Sequence, residues 1–143
     1  MAVESSAEAT WNGELTTGRG SVRVASGAVG ELELTWRARA ESRASGTSPE
    51  ELIAAAHAAC FSMALAHGLG QAGTPPERVE TRARVAFQAG QGITGITLSV
   101  SGKVPGLDQA GFREAAEAAK AGCPVSQALA GVPITLESAS LEN

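Results

Sequence analysis

The chain has no tyrosine, three phenylalanines, two tryptophans, two histidines and two cysteines, and it carries no excess of positive charge. A net charge of −4 and a pI near 5.2 exclude a nucleic-acid or anionic-membrane partner, since both demand a basic face. Two cysteines, with no close Cys or His partners to complete a tetrahedral set, are too few for a protein-only zinc site, so neither metal nor cofactor is expected. Met1 to Glu8 has no positive region and no apolar run, so no secretory signal is expected and the cytoplasm is the expected location. The longest apolar stretch, Leu52 to Ala66, is 15 residues, whereas a membrane-spanning helix needs about 20. It is expected to be a buried core helix.

What is present fits one domain over residues 1–143, large enough to bury a core without disulfide staples. In a reducing cytosol, two cysteines are catalytic, redox-sensing or buried more often than permanently bridged.

The order of elements is strands, helix, strands, helix. Residues 8–39 read as short antiparallel strands punctuated by glycines, ending in the alternation Glu31-Leu32-Glu33-Leu34-Thr35-Trp36-Arg37-Ala38-Arg39, a half-buried strand. Ser48 caps a helix, Pro49 suits its first turn, and Glu51 completes a capping box. That helix is expected to close at Gly68 or Gly70. A hairpin follows, Val79 to Gln88 and Ile93 to Lys103 around Ala89-Gly90-Gln91-Gly92, with Ile96, Leu98 and Val100 on one face. Asp108 caps a second helix to about Ala121 with Gly122 as its stop; a short helix over 124–130 and a strand from Val132 to Glu137 end the chain. Without a repeated βαβ unit, the class is α+β. Gly18-Arg19-Gly20 lacks the third glycine and following helix of a dinucleotide site.

Cys60 lies late in the first helix, and Cys123 lies at the turn after Gly122. A thiol reacts as its thiolate, and a free one is mostly protonated at neutral pH. Late in a helix the macrodipole has the wrong sign to help, so Cys60 needs a cation brought to it. Arg39 is the candidate, with Glu50 as the carboxylate that makes its burial tolerable. Glu50 and Cys60 stand about 15 Å apart along a helix axis, so the arginine's arm or a second copy of the chain must close the gap. A plainer account stands beside this one. Both cysteines could be packed core, Arg39 and Glu50 surface charges, and His57, one turn before Cys60, a satisfied core histidine.

Two segments carry a resemblance. Ser48-Pro49-Glu50-Glu51-Leu52-Ile53-Ala54-Ala55-Ala56-His57-Ala58-Ala59-Cys60-Phe61-Ser62-Met63 and Ala119-Lys120-Ala121-Gly122-Cys123-Pro124-Val125-Ser126-Gln127 resemble the two signature blocks of the OsmC/Ohr family of peroxidases, in particular its OsmC branch. The resemblance extends from Trp11 through Thr135. It implies an OsmC-like α+β fold of antiparallel sheets with two main helices, in an intertwined homodimer with active sites at the interface. It implies reduction of organic hydroperoxides, and of hydrogen peroxide, without haem, flavin or metal. Cys60 maps to the peroxidatic nucleophile and Cys123 to the resolving thiol. The family's arginine maps to Arg39, in competition with Arg37 and Arg43, and its paired glutamate to Glu50. With so few aromatics, the substrate pocket is expected to be aliphatic, lined by Leu, Ile, Val and Met.

The expected chemistry is attack of Cys60 on the peroxide, condensation of the resulting sulfenic acid with Cys123, and resetting by a dithiol reductant such as a lipoyl protein. The competing functions are a thiol sensor that oxidises once and signals, and a stress-associated ligand-binding domain without turnover.

Overall fold

The computed structural model describes residues 1–41 and 45–143. The chain divides into two compact units, Met1–Leu52 and Ile53–Asn143.

The first unit holds an antiparallel sheet of β1 (Ala7–Asn12), β2 (Arg19–Val24) and β3 (Leu32–Leu34), in that order. The strand expected through Arg39 stops at Leu34. Thr35 turns the chain instead: its Oγ1 accepts from the Ala38 N–H at 3.0 Å and caps the five-residue helix α1 (Trp36–Ala40). Arg39 is therefore in the last turn of a helix, not on the polar face of a strand. After α1 the chain returns to β3, where Thr47 forms a parallel bridge with Leu34 and donates its N–H to the Glu33 carbonyl at 2.7 Å. Gly46 makes that approach possible: its φ is +76°, and a Cβ there would lie 2.7 Å from the Glu33 carbonyl oxygen.

α2 (Pro49–Gln71) begins as its sequence predicts, with Ser48 Oγ accepting the Glu51 N–H at 3.1 Å. The Glu51 carboxylate accepts from the Thr47 hydroxyl at 2.6 Å. The helix runs past both glycines expected to end it. Its stop is Gly73, at φ +87°, where Thr74 N–H reaches the Leu69 carbonyl at 2.9 Å and Gly73 N–H reaches that of Gly70 at 3.1 Å. This pair of bonds is the Schellman closure, and only a residue that tolerates positive φ completes it cheaply. The helix is thus 23 residues long with a mean hydropathy of 1.6 over its most apolar window, long and apolar enough by length and composition to cross a membrane. The 15-residue apolar stretch underestimates it. Nor is α2 a fully buried helix: only 22% of that window is buried, with His57, Phe61, Leu65 and Leu69 packed inside and Met63 exposed.

The second unit continues with β4 (Arg78–Gln88) and β5 (Gly92–Lys103), an antiparallel hairpin whose turn uses positive φ at Gly90 and Gly92. Ile96, Leu98 and Val100 fill the core, as their alternation predicts. Asp108 accepts the Gly111 N–H at 2.8 Å and caps α3 (Gln109–Gly122), which buries Phe112, Ala116 and Ala119. Gly122 is the last helical residue and Cys123 the cap, one position later than expected. α4 (Pro124–Ala128) leads to β6 (Ile134–Leu141), which starts and ends later than its predicted bounds. β6 pairs with β5 in parallel, so the expectation of purely antiparallel sheets is corrected. The reason is the crossover: α3 and α4 carry the chain back along the sheet, as a parallel connection requires. Gln109 ties α3 to β6, its amide donating to the Ala139 carbonyl at 2.6 Å and accepting the Leu141 N–H at 2.9 Å. One apolar core joins α2, α3 and the β4–β5–β6 sheet.

Candidate active site

The four residues singled out from the sequence fall into two pairs, each inside its own unit. In the first, Arg39 Nε donates to both carboxylate oxygens of Glu50 at 3.1 and 3.2 Å, and its Nη2 donates to Oε2 at 3.1 Å. The side chain of Glu50 is 6% exposed and that of Arg39 34%, so a nearly buried carboxylate is held by a half-buried guanidinium. The fork geometry matches what arginine does with a carboxylate and lysine does not. Of the competing arginines, Arg37 is exposed on α1, and Arg43 lies outside the described residues.

In the second unit, α2 and the α3–α4 corner bring the two cysteines together. The Cys60 and Cys123 sulfurs are 3.0 Å apart and both thiols are free. Cys123 caps two helices, its N–H donating to the Ala119 carbonyl at 2.9 Å and its carbonyl accepting the Gln127 N–H at 3.0 Å. Pro124 takes the first position of α4, ahead of Val125 and Ser126.

Their surroundings separate the two thiols. Burial pushes Cys60 up, and the hydrogen bond with Cys123 adds to that; the Val125 N–H offsets it only in part. Cys123 is also pushed up by burial, but hydrogen bonds from Cys60, from the Ser126 N–H and hydroxyl, and from the Val125 N–H outweigh it and bring the thiol down. The two thiols are thus shifted in opposite directions, Cys60 up and Cys123 down.

His57 is completely buried, with Nε2 2.7 Å from Ser126 Oγ, while Nδ1 has no hydrogen-bond partner among the described residues. Burial pushes the imidazole down, so it is neutral near pH 7. Sequence reasoning passed over Ser126. Its position three residues into Cys-Pro-Val-Ser was the available signal, but its partner lies 69 residues away.

Beside Cys60 an open groove of about 960 Å³ runs between α2 and α3, lined by Met63, Leu69, Leu107 and many alanines, with His67 and Glu114 among its few polar groups. Among the described residues its lining has no Phe, Tyr or Trp, and no Ile or Val either. A pocket read as Leu, Ile, Val and Met is in fact shaped largely by alanine, whose short side chains leave the space open. Among the described residues no cluster of His, Cys, Asp and Glu could hold a metal.

Comparison with known structures defines the fold. The chain is similar over 100% of both lengths, at a TM-score of 0.70 and 24% identity, to a crystal structure of an organic hydroperoxide resistance protein OsmC from Legionella pneumophila. It is similar to an OsmC-like protein from Mycoplasma pneumoniae at a TM-score of 0.73 and 14% identity, covering 99% of this chain and 100% of that one. The architecture is thus the OsmC/Ohr-like α+β fold. Residues 41–137 match the family model described as OsmC-like protein. Over 132 residues the chain is 44% identical to the protein named Peroxiredoxin OsmC of Escherichia coli K12, covering 90% of this chain and 92% of that one; the Peroxiredoxin OsmC of Shigella flexneri matches equally. The chain belongs to the OsmC family.

Proposed function

We propose that this protein is a cysteine-based peroxidase that reduces organic hydroperoxides and hydrogen peroxide, with Cys60 as nucleophile and Cys123 as resolving thiol. The observation that carries the reading is the approach of two free sulfurs, 63 residues apart in sequence, to 3.0 Å. Kinship with proteins named peroxiredoxin supports the reaction class. Cys60 is partly exposed beside the apolar groove while Cys123 is fully buried, which suits the first to meet a peroxide and the second to wait behind it.

The Cys60 thiolate attacks the distal peroxide oxygen, the O–O bond breaks, and the departing alkoxide takes a proton to leave as alcohol. Cys60 is now a sulfenic acid. The Cys123 thiolate attacks its sulfur, the S–O bond breaks, and hydroxide leaves as water after protonation, so that the peroxide's two oxidising equivalents end in a disulfide. A dithiol reductant, for which a lipoyl protein is the expected donor, opens it by exchange. Burial alone leaves Cys60 too weakly acidic for this work, and the resemblance assigns its activation to Arg39 held by Glu50. The same resemblance carries a homodimer with active sites at the interface, and with it goes the expectation of a single OsmC-like domain in the cytoplasm. The uncovered apolar side of α2 supports such an assembly.

Steady-state consumption of cumene hydroperoxide with a dithiol present tests the reading. Turnover by the wild type and none by Cys60→Ser is the expected result. Equal rates in the two would refute the enzyme. Stoichiometric thiol loss without turnover would instead identify a sensor, and no thiol loss at all a static binder.

A further inference from the structure

Two free thiols on rigid supports, opening onto an apolar groove, define a binding site as well as a reaction. Cys60 Sγ and Cys123 Sγ stand 3.0 Å apart, longer than a disulfide bond and close enough for one atom to bond both. One sulfur is carried by α2 and the other by the corner between α3 and α4, so little chain has to be ordered when the pair closes on a ligand. Cys60 lines the groove between α2 and α3, and so do Gly122 and Pro124, on either side of the buried Cys123. The open space therefore ends against the two sulfurs. Met63 and a series of alanines wall it, which gives room to an apolar substituent and few partners to a hydroxyl. Among the described residues no group of three His, Cys, Asp or Glu could hold a metal, so a four-coordinate zinc does not fit. A three-coordinate, thiophilic centre bonded to two sulfurs and one carbon does.

We propose that the Cys60–Cys123 pair and its groove form a chelating site for trivalent organoarsenicals that carry one apolar substituent. The inference rests on the geometry of the two thiols and not on peroxide reduction. The partly exposed Cys60 bonds first: its sulfur displaces one hydroxyl from the hydrated arsenical, and that hydroxyl leaves as water with the thiol proton. Cys123 displaces the second hydroxyl in the same way. Two As–S bonds form, two As–O and two S–H bonds break, and neither arsenic nor sulfur changes oxidation state. The second displacement is intramolecular, and effective concentrations in well-oriented steps of this kind reach about 10⁵ M or more. That advantage separates a lasting chelate from a labile adduct of one thiol.

The reduced protein treated with one equivalent of phenylarsine oxide tests the site, with free-thiol counting, intact mass and peptide mapping as readouts. Two thiols should be lost and one phenylarsenic group gained per chain, bridging the peptides that hold Cys60 and Cys123. The adduct should survive excess β-mercaptoethanol and yield to dithiothreitol. Cys60→Ser and Cys123→Ser should each lose the group to the monothiol at least about a hundredfold faster than wild type. Partition against dithiothreitol, which cancels each arsenical's own affinity for thiols, should favour phenylarsine oxide over arsenite by about tenfold, from burial of the ring in the groove. Retention by Cys60→Ser as firm as by wild type overturns the proposal, and so does equal partition of the two arsenicals. Cys60→Ser changes a partly exposed position and carries the test even where Cys123→Ser fails to fold. No peroxide enters the experiment, so its failure leaves the peroxidase reading standing, and a protein without peroxidase turnover can still pass it.

Discussion

Cys123 Sγ and Cys60 Sγ lie 3.0 Å apart, with Cys60 partly exposed and Cys123 buried behind it. One equivalent of hydroperoxide should therefore remove both thiols together, because the second nucleophile is already in place when the first is oxidised. Free-thiol counting should give two lost per protein in the wild type and one in Cys123→Ser, whose Cys60 should then overoxidise with excess peroxide. A single thiol lost in the wild type would break the pairing.

The bidentate contact between Arg39 and Glu50 leads to a stability prediction independent of activity. With its partner removed, Glu50 keeps a nearly buried carboxylate without its guanidinium, so Arg39→Leu should destabilise the fold by about 1–3 kcal/mol, reduced by the partial exposure of the arginine. Glu50→Gln in the Arg39→Leu background should recover part of that loss, since an amide costs less to bury than an unpaired carboxylate. Urea denaturation of the four members of this cycle measures the coupling. No recovery in the double variant would mean that the carboxylate finds other compensation.

Helix boundaries offer a second stability test. Gly70 lies inside α2 with open space where a Cβ would be, so Gly70→Ala should stabilise by about 0.5–1 kcal/mol through helix propensity and unfolded-state entropy. Ser48→Ala should cost about 1 kcal/mol, because the Glu51 N–H loses its acceptor. Thermal melts should move in opposite directions. A drop in Gly70→Ala would place another surface against that turn.

The long elements were legible in the sequence, and the meeting of the cysteines only through the family resemblance; several junctions were not. Asp108 and Ser48 announce their helices because a side-chain oxygen placed before an apolar run has one use there. The stretch from Glu31 to Arg39 misleads because over five residues a period of 2 and a period of 3.6 cannot be told apart, and Thr35 decides between them by capping. The parallel direction of β6 depends on where α3 and α4 leave the chain, a tertiary fact that alternation does not encode. The contact of His57 with Ser126 was hidden for the same reason. Either residue alone reads as ordinary, and only the fold places the buried imidazole against this hydroxyl.

His57 also sets an acid limit on stability. Burial depresses its pKa below the ordinary value of 6.5, so the folded chain binds fewer protons at this site than the unfolded chain as the pH falls. Above about pH 6.5 neither state carries the proton and the site contributes nothing to the pH dependence. Below it the unfolded imidazole charges while the buried one stays neutral, and stability falls with a slope of at most about 1.4 kcal/mol per pH unit until the folded pKa is reached. Denaturant unfolding between pH 8 and pH 5 should show this loss in the wild type, and His57→Gln, which has no titrating ring, should lack that component. Identical slopes in the two proteins would show that other groups set the acid limit and that His57 takes up its proton in the fold as readily as out of it.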